Sequence, residues 1–115
     1  MTILKSLISS AVIAFAVTAV AEGSWAQAPD IAAGRKRAEV CMACHGENGR
    51  SLVPGIPHLA GQDRDYLVLA LTAYRGNTTR SDPTMVEMSK PLTDKDIENL
   101  AAFWNSLGPV VKAQE

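Results

Sequence analysis

The 115-residue chain is 47% hydrophobic and 20% charged, with a formal net charge of −1 at pH 7. That balance suits a globular domain and excludes both a disordered, highly charged segment and a strongly basic nucleic-acid binder. Two cysteines allow one disulfide at most, so a disulfide framework is excluded as well.

At the N-terminus, Lys5 precedes an apolar run from Leu7 to Ala21, diluted only by Ser9, Ser10 and Thr18. Ala19-Val20-Ala21 and Ser24-Trp25-Ala26 both fit an A-x-A-like cleavage pattern, so residues 1–26 read as a secretory signal peptide cut after Ala26. The competing reading is an uncleaved anchor, but the run is shorter than the ~20 residues a spanning helix needs. Residues 27–115 are then one small domain with a modest core and no stable membrane span. Lys5 and Glu22 cancel, so removing the segment leaves the net charge at −1.

Asp30 is a candidate N-cap, and Ile31 to Cys44 reads as a first helix. Gly34 inside it costs about 1 kcal/mol relative to alanine, which suggests close approach of another helix. The helix ends in Cys41-Met42-Ala43-Cys44-His45, the most informative stretch of the chain. C-x-x-C-H is the attachment signature of c-type haem: two thiols one helical turn apart add to the two vinyl groups, and the adjoining histidine reaches the iron. The competing chemistries fit less well. A structural zinc needs four ligands, and the chain offers only His58 beyond the motif itself. A thioredoxin-type redox pair needs a βαβ context that the chain lacks, and a plain disulfide leaves His45 without a role. Bound haem would enlarge the small core, and its two propionates would bring the charge to about −3. Export also accords with this motif, since bacterial haem attachment takes place outside the cytoplasmic membrane.

From Gly46 to Gly61 the chain is rich in Gly, Pro, Asn and Ser and reads as a loop. Tyr66, Leu67, Ala70, Leu71 and Tyr74 follow the i, i+3, i+4, i+7 pattern of a middle helix over residues 63–75, which Gly76 is expected to end. Asn77 to Thr84 is polar and loop-like. Thr93 opens the last helix with Asp96 at the capping-box position; Ile97, Leu100, Ala101 and Trp104 form its apolar stripe, and Gly108-Pro109 stops it. The tail beyond is expected to fray. Arg35-Lys36-Arg37 and the acidic Asp94, Asp96 and Glu98 read as solvated helix faces, not as a nucleic-acid surface.

The ordered set of motifs resembles class I c-type cytochromes, and is similar to the small bacterial monohaem members and to single halves of di-haem ones. The residues that carry the resemblance are Gly34 seven positions before Cys41, the C-x-x-C-H run, Pro57-His58-Leu59-Ala60-Gly61-Gln62, Asp65-Tyr66-Leu67, Pro91 to Ile97, and Leu100-Ala101-Ala102-Phe103-Trp104. The resemblance implies an all-α class I cytochrome c fold, three main helices around one covalently bound haem c held by Cys41 and Cys44. It implies His45 as one axial ligand, with the Pro57 carbonyl accepting a hydrogen bond from its second ring nitrogen. It implies a first helix crossing the last, with Gly34 facing Phe103. For the sixth ligand it implies Met85, seven residues before Leu92, in preference to Met88. Met42 is badly placed to reach the far face, and His58 reads as a surface residue. Histidine–methionine ligation saturates the iron and raises the reduction potential. The expected function is that of a periplasmic one-electron carrier, not an enzyme, serving redox partner proteins. The alternatives are a haem subunit of a dehydrogenase complex and a small peroxidase-like or ligand-binding haem protein.

Overall fold

The computed structural model describes residues 27–110; the expectations for the signal peptide and for the extreme C-terminal tail lie outside the described residues. Among these there are four α-helices and no strand: α1 Ile31–His45, α2 Arg64–Gly76, α3 Pro83–Ser89 and α4 Asp94–Ser106, with a single 3₁₀ turn at Glu47–Gly49.

Side-chain caps start all four helices. Asp30 accepts from the Ala33 amide, Asp63 from Tyr66, Asp82 from Met85 and Thr93 from Asp96, each satisfying an amide that the helix leaves unpaired. At α4 the box is reciprocal, the Asp96 carboxylate accepting from the Thr93 amide at 2.9 Å. Two expectations need correction. Gly76 lies inside α2, and Asn77 takes the left-handed C-cap position at φ 47°, ψ 49°; asparagine tolerates that conformation better than most residues. The loop read from Asn77 to Thr84 ends earlier, because Pro83 and Thr84 form the first turn of α3. Asp82-Pro83 is itself a helix-start signal, a cap residue followed by a proline whose fixed φ suits the first helical position.

Helix α4 is the centre of the molecule. Ile97, Leu100, Ala101, Phe103 and Trp104 are all buried, and Ala38 from α1, Leu67 from α2 and Leu92 complete the core. α1 lies across α4 on its small residues, Gly34 and Ala38. A Cβ on Gly34 would sit 2.1 Å from the Asn99 carbonyl oxygen and 2.9 Å from the Phe103 Cβ, so the expected meeting of Gly34 and Phe103 occurs, with the α4 backbone at Asn99 closer still. The same crossing is tied by the Asp30 amide, which donates to Asn99 Oδ1 at 2.8 Å. α2 also packs against α4, where Arg64 pairs with Glu98, and Arg75 donates to the Leu92 carbonyl just before α4 at 2.9 Å. α3 packs against α2, and Val86 and Ser89 are its buried residues.

Candidate functional site

The motif lies on the last turn of α1. Cys41 is half-buried and Cys44 is exposed, and the two form no disulfide. Burial pushes the Cys41 thiol above its ordinary pKa, against the opposing pull of the Arg37 charge.

His45 is 7% exposed, and its Nδ1 donates to the Pro57 carbonyl at 2.8 Å. A carbonyl only accepts, so the proton resides on Nδ1 and Nε2 keeps its lone pair free for a metal. The loop holds that carbonyl by being pinned to α4 from behind. Gly49 packs on the Trp104 ring, where a Cβ would come within 2.9 Å, and its positive φ of 70° suits glycine. The Gly49 carbonyl accepts from Leu59 at 2.8 Å and Ala60 at 3.2 Å, and the Gly61 amide donates to the Trp104 carbonyl at 2.8 Å.

Two adjoining cavities, of about 120 and 430 Å³, open between these elements. Both are lined by Cys44, His45, Leu67, Leu71 and Met85. Cys41, Met88, Ser89, Leu92, Leu100 and Trp104 line the smaller one. The larger adds Pro57, His58, Tyr66, Tyr74, Arg80 and Asp82. Of the expected site residues, Cys44, His45 and Met85 thus line both cavities, Cys41 the smaller one and Pro57 the larger. Met88 is 41% exposed and reaches only the smaller cavity. Met42 packs against the core and lines neither cavity, and His58 is exposed.

These residues fit a haem. The walls are mainly apolar, and Cys44, a histidine bonded at Nδ1 and a methionine line both cavities, with Cys41 at the wall of the smaller one. The Ser89 hydroxyl is fully buried at the wall without a hydrogen-bond partner, which marks a polar group whose neighbourhood a bound group would complete. A metal held by side chains alone does not fit: among the described residues no cluster of three or more His, Cys, Asp or Glu is arranged to hold one.

The family model for cytochrome c matches residues 31–108. The chain belongs to the cytochrome c family. It carries one covalently bound haem c, as that membership and the Cys41–His45 motif require. It is 41% identical over 87 residues to cytochrome c4 of Thiocapsa roseopersicina, covering 72% of this chain and 44% of the relative. It is 38% identical to cytochrome c-554(548) of Halomonas halodenitrificans, covering 69% of this chain and 98% of that protein. Among solved structures, reduced recombinant cytochrome c4 from Pseudomonas stutzeri superposes with a TM-score of 0.67 at 36% identity, covering 76% of this chain and 50% of the other. The chain therefore spans about half the length of the cytochromes c4 it matches.

Sequence reasoning missed four side chains that line these cavities. Tyr66 and Tyr74 read as part of an apolar stripe, Arg80 as a loop residue, and Ser89 drew no attention. The spacing of the tyrosines carried a signal, since two aromatic hydroxyls eight residues apart on the cavity-lining face of α2 imply a polar neighbour within reach.

Proposed function

We propose that this cytochrome is a periplasmic one-electron carrier in which His45 and Met85 are the axial ligands. The observation that carries the reading is the convergence of the His45 ring, held at Nδ1 by Pro57, and the Met85 side chain on the same two cavities. The bound haem supplies the one-electron chemistry. The chain supplies its constancy. The Pro57 carbonyl fixes the tautomer and orientation of His45 and strengthens it as a ligand. With Met85 as well as His45 holding the iron, no position would be left open for a substrate, which favours a carrier over a peroxidase-like protein. Leu67, Leu71, Leu92, Leu100 and Trp104 exclude water, which lowers the reorganisation that accompanies a change of charge. Its partners are redox proteins, a donor and an acceptor that meet it in turn. Export rests on the reading of residues 1–26 as a signal peptide, and no helix among the described residues is long and apolar enough to cross a membrane.

The experiment compares Met85→Ala with Met88→Ala in the loaded protein. Met85→Ala abolishes the far-red sulfur-to-iron band of the oxidised form, lowers the reduction potential and admits cyanide. Met88→Ala keeps the band. The opposite pattern moves the ligand to Met88, and an unchanged spectrum in both removes methionine ligation altogether. Intact mass of the periplasmic protein tests the location: the chain begins at Gln27, and a membrane-bound product that keeps residues 1–26 overturns export of a soluble carrier.

A further inference from the structure

The connection between α2 and α3 carries a cluster that the electron-carrier reading leaves unused. The Arg80 guanidinium carbon lies 5.4 Å from the centroid of the Tyr66 ring and 5.4 Å from that of Tyr74. Its Nη2 also donates to the Tyr66 hydroxyl at 3.0 Å. A planar guanidinium stacks on aromatic faces and donates in its own plane, so one side chain makes both kinds of contact at once. Both tyrosines stand on α2, so this grip fastens Arg80 to one rigid element.

What the grip holds is short. α3 has seven residues, too few to be stable by itself in water, so its placement comes from its surroundings. At its far end, buried Val86 and Ser89 pack inward. At its near end, Asp82 accepts from the Met85 amide at 3.0 Å and Pro83 sets the first φ. The Thr78 amide donates to the Ala73 carbonyl of α2 at 3.1 Å, and between it and the Asp82 cap Arg80 is the residue that bonds back to α2. Arg80 and Asp82 stand two positions apart, and Met85 follows the cap by three residues. A displacement at Arg80 therefore passes to Met85 through a stretch with little slack.

We propose that Arg80, gripped by Tyr66 and Tyr74, is a positioning residue that holds the start of α3 against α2 and so keeps the Met85 sulfur on the iron. This rests on the reading of Met85 as the sixth ligand. Arg80 touches neither the sulfur nor the iron in this account; it acts through the backbone of the Arg80–Met85 segment. Its loss raises the fraction of molecules in which the sulfur is off, while the resting ligation stays the same.

A ligand from solution takes the sixth position only while the sulfur is away, so the rate of cyanide binding to the oxidised holoprotein reads that fraction. The variants are Arg80→Met, which removes charge and donors at similar length, Arg80→Lys, which keeps the charge without the planar fork, and Tyr66→Phe, which keeps the ring and removes the acceptor. The far-red band is present in wild type and in all three at rest. Arg80→Met speeds cyanide binding about tenfold, as expected for two cation–π contacts and a hydrogen bond. Arg80→Lys and Tyr66→Phe each give roughly a threefold rise. Arg64→Gln, which removes an ion pair between α2 and α4 instead, stays within about twofold of wild type. Unchanged cyanide rates in Arg80→Lys and Tyr66→Phe overturn the proposal even if Arg80→Met fails to fold. An equal rise in Arg64→Gln also overturns it, by showing general loosening. A wild-type protein without the far-red band fails the Met85 reading itself, an outcome distinct from either.

Discussion

Replacing Gly34 by alanine sets two effects of opposite sign against each other, and the structure decides between them. Gly34 is an interior position of α1, where alanine is favoured over glycine by about 1 kcal/mol on helix propensity alone. Against this, the new Cβ would lie 2.1 Å from the Asn99 carbonyl oxygen, 2.7 Å from its carbon and 2.9 Å from the Phe103 Cβ. Two of these three atoms are backbone, so no rotamer change relieves the overlap. The helices must part by more than about 1 Å at the crossing to restore ordinary contact in a close-packed interior. α4 carries Ile97, Leu100, Ala101, Phe103 and Trp104, so moving it opens space throughout the core. Overpacking costs typically 1–3 kcal/mol and occasionally more; with a backbone clash we take the upper end, leaving a net loss of about 2 kcal/mol. For a domain of this size that lowers Tm by about 8–16 °C. Thermal and denaturant unfolding of the holoprotein, followed by far-ultraviolet circular dichroism and the Soret band, measures it. A Gly34→Ala protein as stable as wild type, or about 1 kcal/mol more stable as propensity alone dictates, refutes the reasoning.

Thr93→Ala breaks the capping box of α4 and costs about 1 kcal/mol in denaturant unfolding. In the same box the Thr93 amide and hydroxyl hold the Asp96 carboxyl below its ordinary pKa, with a further pull from Arg37. A depressed folded pKa means stability that is present above the ordinary carboxylate value and lost as pH falls through the folded one; Asp96→Asn therefore flattens the acid limb of a stability-against-pH curve below about pH 4. Cys41→Ser or Cys44→Ser leaves a single thioether, and the yield of protein that keeps haem through acid–acetone extraction falls sharply in either; undiminished retention in both would contradict covalent attachment at this motif. Met88→Ala costs less than the 2–5 kcal/mol of a fully buried methionine, because the side chain is 41% exposed; a loss in that full range would place Met88 in the core after all.

Much of this protein is written in short stretches of sequence. The N-caps Asp30 and Thr93, the capping box with Asp96 and the apolar stripe from Ile97 to Trp104 all depend on residues within a few positions of one another, and all appear in the structure as read. The Cys41–His45 motif is equally local, which is why the cofactor was legible from five residues. The start of α3 was legible too, in Asp82-Pro83, but the polar composition from Asn77 onward outweighed it.

Other features have no local signature. Asp30 and Asn99 are 69 residues apart, and their hydrogen bond exists only because α1 crosses α4 where Gly34 lets the two backbones meet. The Pro57 carbonyl that orients His45 is a backbone atom, present at every residue; family resemblance pointed to it, and the fold of the loop on Trp104 brings it to 2.8 Å. Nothing in the string of residues pairs Arg80 with two tyrosines on α2, or leaves the Ser89 hydroxyl buried at the cavity wall. Sequence by itself determined α1, α2 and α4, the caps Asp30 and Thr93 and the haem motif, because those are decided by bonding and periodicity within one or two turns. Only the tertiary structure decided which backbone groups and which long side chains surround the motif, because those contacts depend on how separate helices cross, and a crossing is set by the packing of the whole core.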